Sequence, residues 1–141
     1  MRIESIKVYQ VLLPVKGGAY RMASDTVQNL DSTLVEVTTE DGLSGWGETC
    51  PVGPVYQPQH ALGARAAIAE MAPGLVGEDT ASMRRLAKRM DERLNGHNYA
   101  KAALDIALLD LAGLRLGVPV STLLGGALTD RVPSYYSTIV G

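Results

Sequence analysis

The sequence predicts an α+β fold, a three-stranded antiparallel meander followed by a layer of helices. Three observations carry that reading. The first third of the chain is rich in β-branched residues; it contains one tight-turn signal, Asp41-Gly42; and from about residue 59 onward alanine and leucine recur at helical spacing. Strands come first and helices after, with no internal repeat and no low-complexity stretch.

Residues 2 to 13 alternate, with Ile6, Val8 and Gln10 on one side and Lys7, Tyr9 and Val11 on the other, which predicts the first strand. The stretch KGGAYRMASDTVQNLDS has two adjacent glycines and no period, so it reads as a loop of roughly fifteen residues, longer than most connections in small domains. In TLVEVTTEDGLSGWGET two strand-like runs flank Asp41-Gly42, a hairpin. A second irregular segment, CPVGPVYQP, follows. A first helix is expected from Gln59 to Met71, with Leu62, Ala66, Ile68 and Met71 recurring and Pro73-Gly74 ending it. A second is expected to start at Asp79 or Thr80, to bury Met83, Leu86, Met90 and Leu94, and to stop at Gly96. The third, Tyr99 to Leu116, is apolar nearly all round and is expected to be covered on several sides, ending at Gly117 and Pro119. VSTLLGG reads as a short helical turn.

One domain is the natural expectation for 141 residues. Thirteen basic side chains against fifteen acidic ones leave a net charge of −2 without any basic block, which argues against nucleic acid and against an anionic membrane as partners. The amino terminus alternates and carries charges, unlike a secretory signal, so a cytoplasmic location is expected. A single cysteine, Cys50, forms no internal disulfide and agrees with a reducing compartment.

Candidate chemistry is sparse. His60 and His97 stand at expected helix starts, where capping or solvation outweighs catalysis. No metal-ligand spacing of the HxxxH, CxxC or DxD kind occurs, and the glycines of GLSGWGET and LLGGAL do not make a phosphate cradle. Asp105, in an apolar helix four residues after Lys101, reads as a carboxylate paired with a cation or backbone group. Glu48 reads as a structural hydrogen-bonding group, with Arg115 and Arg131 as available partners, or as a pocket-lining residue. In a meander the first and third strands run the same way, so the two irregular segments leave the sheet at the same end. Each offers a tyrosine, Tyr20 or Tyr56, either as a surface anchor or as part of a lid over a ligand.

TLVEVTTEDGLSGWGETCP, YAKAALDIALLDLAGLRLGVPVSTLLGG and RVPSYYSTI resemble, in that order, the amino-terminal part of the enolase superfamily in the mandelate racemase and muconate lactonizing enzyme branch. Within it, KGGAYRM, CPVGPVYQPQHALGARAAIAEMAP and GHNYAKAALDIA are most similar to the cis-3-hydroxy-L-proline dehydratases. The resemblance implies a capping domain over residues 1 to 127, then a linker and the first strand of a (β/α)7β barrel over residues 128 to 141, the strand being VPSYYSTIVG. It implies Mg2+ in the full-length enzyme, holding a small carboxylate or amino-acid substrate while a base removes the α-proton. The metal ligands and bases of that family stand on later barrel strands, so the resemblance gives this stretch no catalytic or metal-binding residue and no activity alone. What it does give is a lid: Tyr20 and Met22 from the first loop and Cys50 to Val55 with Tyr56 from the second are similar in position to the family's specificity loops. A homo-oligomer is expected. The alternative within the branch is another racemase, epimerase or cycloisomerase; the alternative of a different class is a free-standing α+β module that binds a partner or dimerises through its helices, without catalysis.

Overall fold

The amino-terminal strand β1 (Ile3–Pro14) pairs antiparallel with a later strand through a register that runs from Ile3 opposite Thr39 to Pro14 opposite Asn29, in a computed structural model that describes residues 1–23 and 25–135. Between them lie two short strands, β2 (Tyr20–Arg21) and β3 (Thr26–Val27), paired only with each other. The central strand β4 (Asn29–Thr39) turns through Glu40 to Leu43 into β5 (Ser44–Thr49), and the sheet order is β1-β4-β5, the expected meander. The turn needs a left-handed residue, and Gly42 supplies it at φ +83°. The expected long loop is shorter than its sequence reads, because β4 starts at Asn29 and the β2-β3 ribbon occupies its middle.

The helices are α1 (Ala61–Met71), α2 (Met83–Arg93), α3 (Asn98–Leu116) and the short α4 (Val120–Leu123), with a 3-10 turn at Ala72–Gly74. They cover one face of the sheet. Val35 and Val37 of β4 and Ile3 of β1 meet Ile68, Met71, Leu75, Leu86, Leu104 and Leu108, all fully buried, in one cluster. Burying a side chain of that size stabilises a fold by about 1.5–3 kcal/mol each, so this cluster is the main source of stability.

How α3 reaches the sheet follows from two glycines. Gly45 and Gly47 occupy the inward positions of β5, opposite Val37 and Val35 of the central strand. With no side chain there, the backbone of α3 lies directly on the strand. A Cβ at Gly47 would overlap the carbonyl oxygen of Ala103 and stand 2.8 Å from the amide nitrogen of Ala107; at Gly45 it would meet Leu111 Cγ at 2.6 Å. On the helix side the matching residues are small, Ala103 and Ala107. Asp110 accepts a hydrogen bond from the Trp46 amide at 2.9 Å, so the open edge of β5 is tied to the same helix.

Several expectations need correction. Helix α1 turns Ala61, Ala64, Ala67, Ile68 and Met71 inward and leaves Leu62 and Ala66 exposed. Helix α2 starts at Met83, a turn later than Asp79 or Thr80. Those two residues are engaged by the chain's first residue: Asp79 accepts from the Met1 ammonium at 3.0 Å and from the Ala81 amide, and the Thr80 hydroxyl donates to the Met1 carbonyl. Met83 and Leu94 pack at the edge of the core around buried Leu86 and Met90, as the spacing predicts. Helix α3 is buried on one side only. Asp105 and Ile106 are exposed, so Asp105 stands in water and needs no partner, while Lys101 donates to Asp91 of α2 at 2.6 Å. Gly117 ends α3 in the left-handed conformation, as expected. Residues 126–135 carry no regular structure beyond a Thr129–Arg131 turn, and most of the expected final strand, residues 136–141, lies outside the described residues.

Candidate functional site

Thr33 of β4 stands opposite Gln10 of β1 on one side and Thr49 of β5 on the other. The carboxyl ends of β1 and β5 therefore lie at the same end of the sheet, beside the start of β4, and the two irregular segments leave from that end as the meander requires. The first is folded back on itself by the β2-β3 ribbon, closed by the Met22 amide donating to the Asp25 carbonyl at 2.8 Å. The second, residues 50 to 60, is held at its base by buried Pro51 and turns at Gly53, φ +140°, whose carbonyl accepts from the Tyr56 and Gln57 amides. It ends at His60, whose Nδ1 accepts from the Gly63 amide at 3.1 Å and caps α1. His60 is thus a cap, as its position predicts. His97 sits in the left-handed region at φ 54° and makes no cap bond, with its Nδ1 3.4 Å from the Tyr99 hydroxyl.

The candidate lid residues divide between these two segments. Tyr20 lies in β2, 45% exposed, and Met22 beside it is half-buried. Cys50 is half-buried at the end of β5, while Val55 and Tyr56 are 58% and 69% exposed at the tip of the second segment. Where the second segment meets the start of β4, a cavity of about 250 Å³ is lined by Asn29 and Asp31 of β4, by Pro51, Val52 and Pro54, and by His60. One lining residue, Asp31, belongs to an ion pair that the sequence does not announce. Both terminal nitrogens of the Arg65 guanidinium donate to Asp31, each at 2.9 Å, in the forked geometry that arginine and carboxylate favour. Gln10 adds a third bond to Asp31 at 3.1 Å, and Arg65 also donates to the Thr33 hydroxyl at 3.2 Å. Hydrogen bonds from the Arg65 guanidinium hold the Asp31 carboxyl below the usual carboxylate range, against the opposing effect of burial. Sequence separation hides this pair, since Asp31 and Arg65 lie in different elements and neither carries a local motif.

Glu48 stands elsewhere, on the outer face of the sheet, accepting from the Ser32 hydroxyl rather than from an arginine. That face also holds the stacked rings of Tyr9 and Trp46, 5.7 Å apart, with the Tyr9 hydroxyl on Glu36 at 2.7 Å. Glu36 is lowered in pKa chiefly by that hydroxyl, and Tyr9 is raised by the same bond. Among the described residues no group of three or more His, Cys, Asp or Glu side chains is placed to hold a metal ion, so the residues present do not fit Mg2+. No helix among them is long and apolar enough to cross a membrane.

An antiparallel meander backed by helices, with its irregular segments at one end and, among the described residues, no closed barrel, defines a capping domain of the enolase type. The sequence profile of the mandelate racemase / muconate lactonizing enzyme amino-terminal domain matches residues 4–125, and the chain belongs to that family. It is 46% identical over 136 residues to a cis-3-hydroxy-L-proline dehydratase of Roseibium aggregatum, covering 96% of this chain and 37% of that protein. It is 37% identical to muconate cycloisomerase 1 of Pseudomonas putida, over 93% of this chain and 35% of that one. A solved member of the enolase superfamily from Roseovarius nubinhibens ISM, complexed with magnesium, superposes with a TM-score of 0.82 at 40% identity, over 89% of this chain and 34% of that one. The chain therefore spans just over a third of the length of the relatives it matches.

Proposed function

We propose that this chain is the substrate-covering part of a Mg2+-dependent enzyme that removes the α-proton of a small carboxylate, with cis-3-hydroxy-L-proline as substrate and loss of its hydroxyl as outcome. Residues 1 to 127 form the cap, residues 128 to 141 lead into a barrel, and the metal ligands and proton-transferring bases belong to that barrel. The 46% identity to a dehydratase over nearly the whole chain is the observation that carries the choice of substrate. Support for the covering role comes from the placement of Tyr20, Met22, Cys50, Val55 and Tyr56 on two segments that leave one end of the sheet, with Val55 and Tyr56 exposed at the tip of the second. Apolar groups that close over a bound substrate exclude water, which strengthens every charge interaction within the site and protects reactive intermediates. No step is assigned to the residues of this chain beyond binding, orientation and exclusion of water.

The full-length enzyme, assayed with magnesium against cis-3-hydroxy-L-proline and against muconate, tests the substrate. Turnover of the hydroxyproline alone is expected; turnover of muconate alone would move the protein to the cycloisomerases. In the same enzyme Tyr56→Ala should lower kcat/KM about tenfold, the factor equivalent to about 1.4 kcal/mol. An exposed side chain of this kind leaves folding stability within about 0.5 kcal/mol. Unchanged kinetics with a large fall in melting temperature would assign Tyr56 to packing.

A further inference from the structure

We propose that Asp31 and Arg65, with Gln10 and Thr33, are positioning residues that lock the two covering segments to one another; this rests on reading those segments as a substrate cover. Asp31 lies two residues inside β4, immediately after the first segment ends, and Arg65 lies one turn inside α1, immediately after the second ends. The forked pair at 2.9 Å and 2.9 Å thus joins the carboxyl-terminal stem of each segment, and Gln10 ties in β1, from which the first segment departs. The cavity beside Asp31 is lined by Pro51, Val52 and Pro54 of the second segment together with Ala61 and Leu62 at the start of α1, so a shift of α1 relative to β4 displaces the stem of the second segment.

The placement of the pair separates positioning from stability. Helix α1 is already anchored by Ala64, Ala67, Ile68 and Met71, and β4 by two flanking strands. The Arg65 and Asp31 side chains keep 18% and 33% of their exposure, where an ion pair adds little to global stability. What the planar fork adds is direction: two parallel bonds fix both the distance and the rotation of α1 on the sheet, and a lysine could not reproduce them.

In the full-length enzyme, Asp31→Asn, Arg65→Gln and the double variant should each raise KM at least about fivefold with a smaller change in kcat, the double variant being no worse than the worse single one. Trypsin supplies a readout independent of substrate. Lys16 and Arg21, both exposed in the first segment, are cleavage sites, and Arg65→Gln, a change in the helix after the second segment, should speed cutting after them while the melting temperature holds within a few degrees. Additive effects of the two substitutions, or unaltered cleavage at Lys16 and Arg21, would overturn the coupling. If Tyr56→Ala leaves kinetics unaltered, the cover reading has failed by itself, and the cleavage rates alone decide whether the pair joins the two segments. A KM that stays fixed in the pair variants while Tyr56→Ala raises it would defeat the positioning role and leave the cover standing.

Discussion

Gly47 is a position at which this fold leaves no room for a side chain. Its missing side chain is the space occupied by the Ala103 carbonyl, and backbone on both sides cannot move without lifting α3 off β5. Gly47→Ala should destabilise the domain by at least about 3 kcal/mol, the upper range for overpacking, read as a fall in denaturant midpoint; a change below about 1 kcal/mol would mean that α3 is free to shift. Titration gives a second test at the same scale. Asp31 has a folded-state pKa below its unfolded one, so it binds fewer protons when folded than when unfolded. The stability it contributes is therefore present above the unfolded value of about 3.9 and is lost as pH falls through the lowered folded value. Asp79, lowered chiefly by its bond from the Met1 ammonium, acts with the same sign. Denaturant midpoints followed downward from neutral pH through the unfolded value of about 3.9 should fall less steeply for Asp31→Asn than for the unsubstituted protein; equal slopes would mean that the lowered carboxyl carries no measurable stability.

At the scale of elements, α2 and α3 are joined by Lys101, whose side chain is 11% exposed, to Asp91, 72% exposed. Removing the acid strands a mostly buried ammonium, so Asp91→Ala should cost about 1–2 kcal/mol in thermal unfolding, whereas Lys101→Met, which keeps the packing and removes the charge, should cost less. The reverse order would show that Lys101 acts through something other than its charge. Elements were legible in the sequence wherever one local signal decided them: Asp41-Gly42 for the hairpin, and the Leu86–Met90 spacing for the buried face of α2. They were misread where a distant group intervened. Asp79 and Thr80 look like helix caps, but Met1 takes both, and α2 starts at Met83. Lys101 and Asp105 have the spacing of a helical pair, yet Asp91 lies closer, and Asp105 is left in water. The two-residue strands β2 and β3 are too short to show any period. Gly45 and Gly47, alternating within a strand, carried a usable sign of close backbone approach that composition alone obscures. For the candidate site, the shared end of the two segments followed from meander topology, while the Asp31–Arg65 pair at its base, spanning two elements, left no mark in the sequence.

At the scale of the whole molecule, the domain presents a well-buried core beneath a sheet and a set of exposed apolar residues on segments that gather at one end. The core explains how the domain folds, and under the proposed covering role the exposed residues would form the surface that closes over substrate. The described residues contain no cluster placed to bind a metal, and the chain spans 37% of the dehydratase it matches; the proposed function places the proton chemistry in the remainder of such a protein. The most direct measurement compares two preparations on cis-3-hydroxy-L-proline with magnesium and with a chelator: the 141-residue polypeptide and the protein encoded by the whole reading frame. Substrate loss that is seen only with the longer protein, and abolished by the chelator, is the predicted result. Turnover by the 141-residue polypeptide itself would contradict the account.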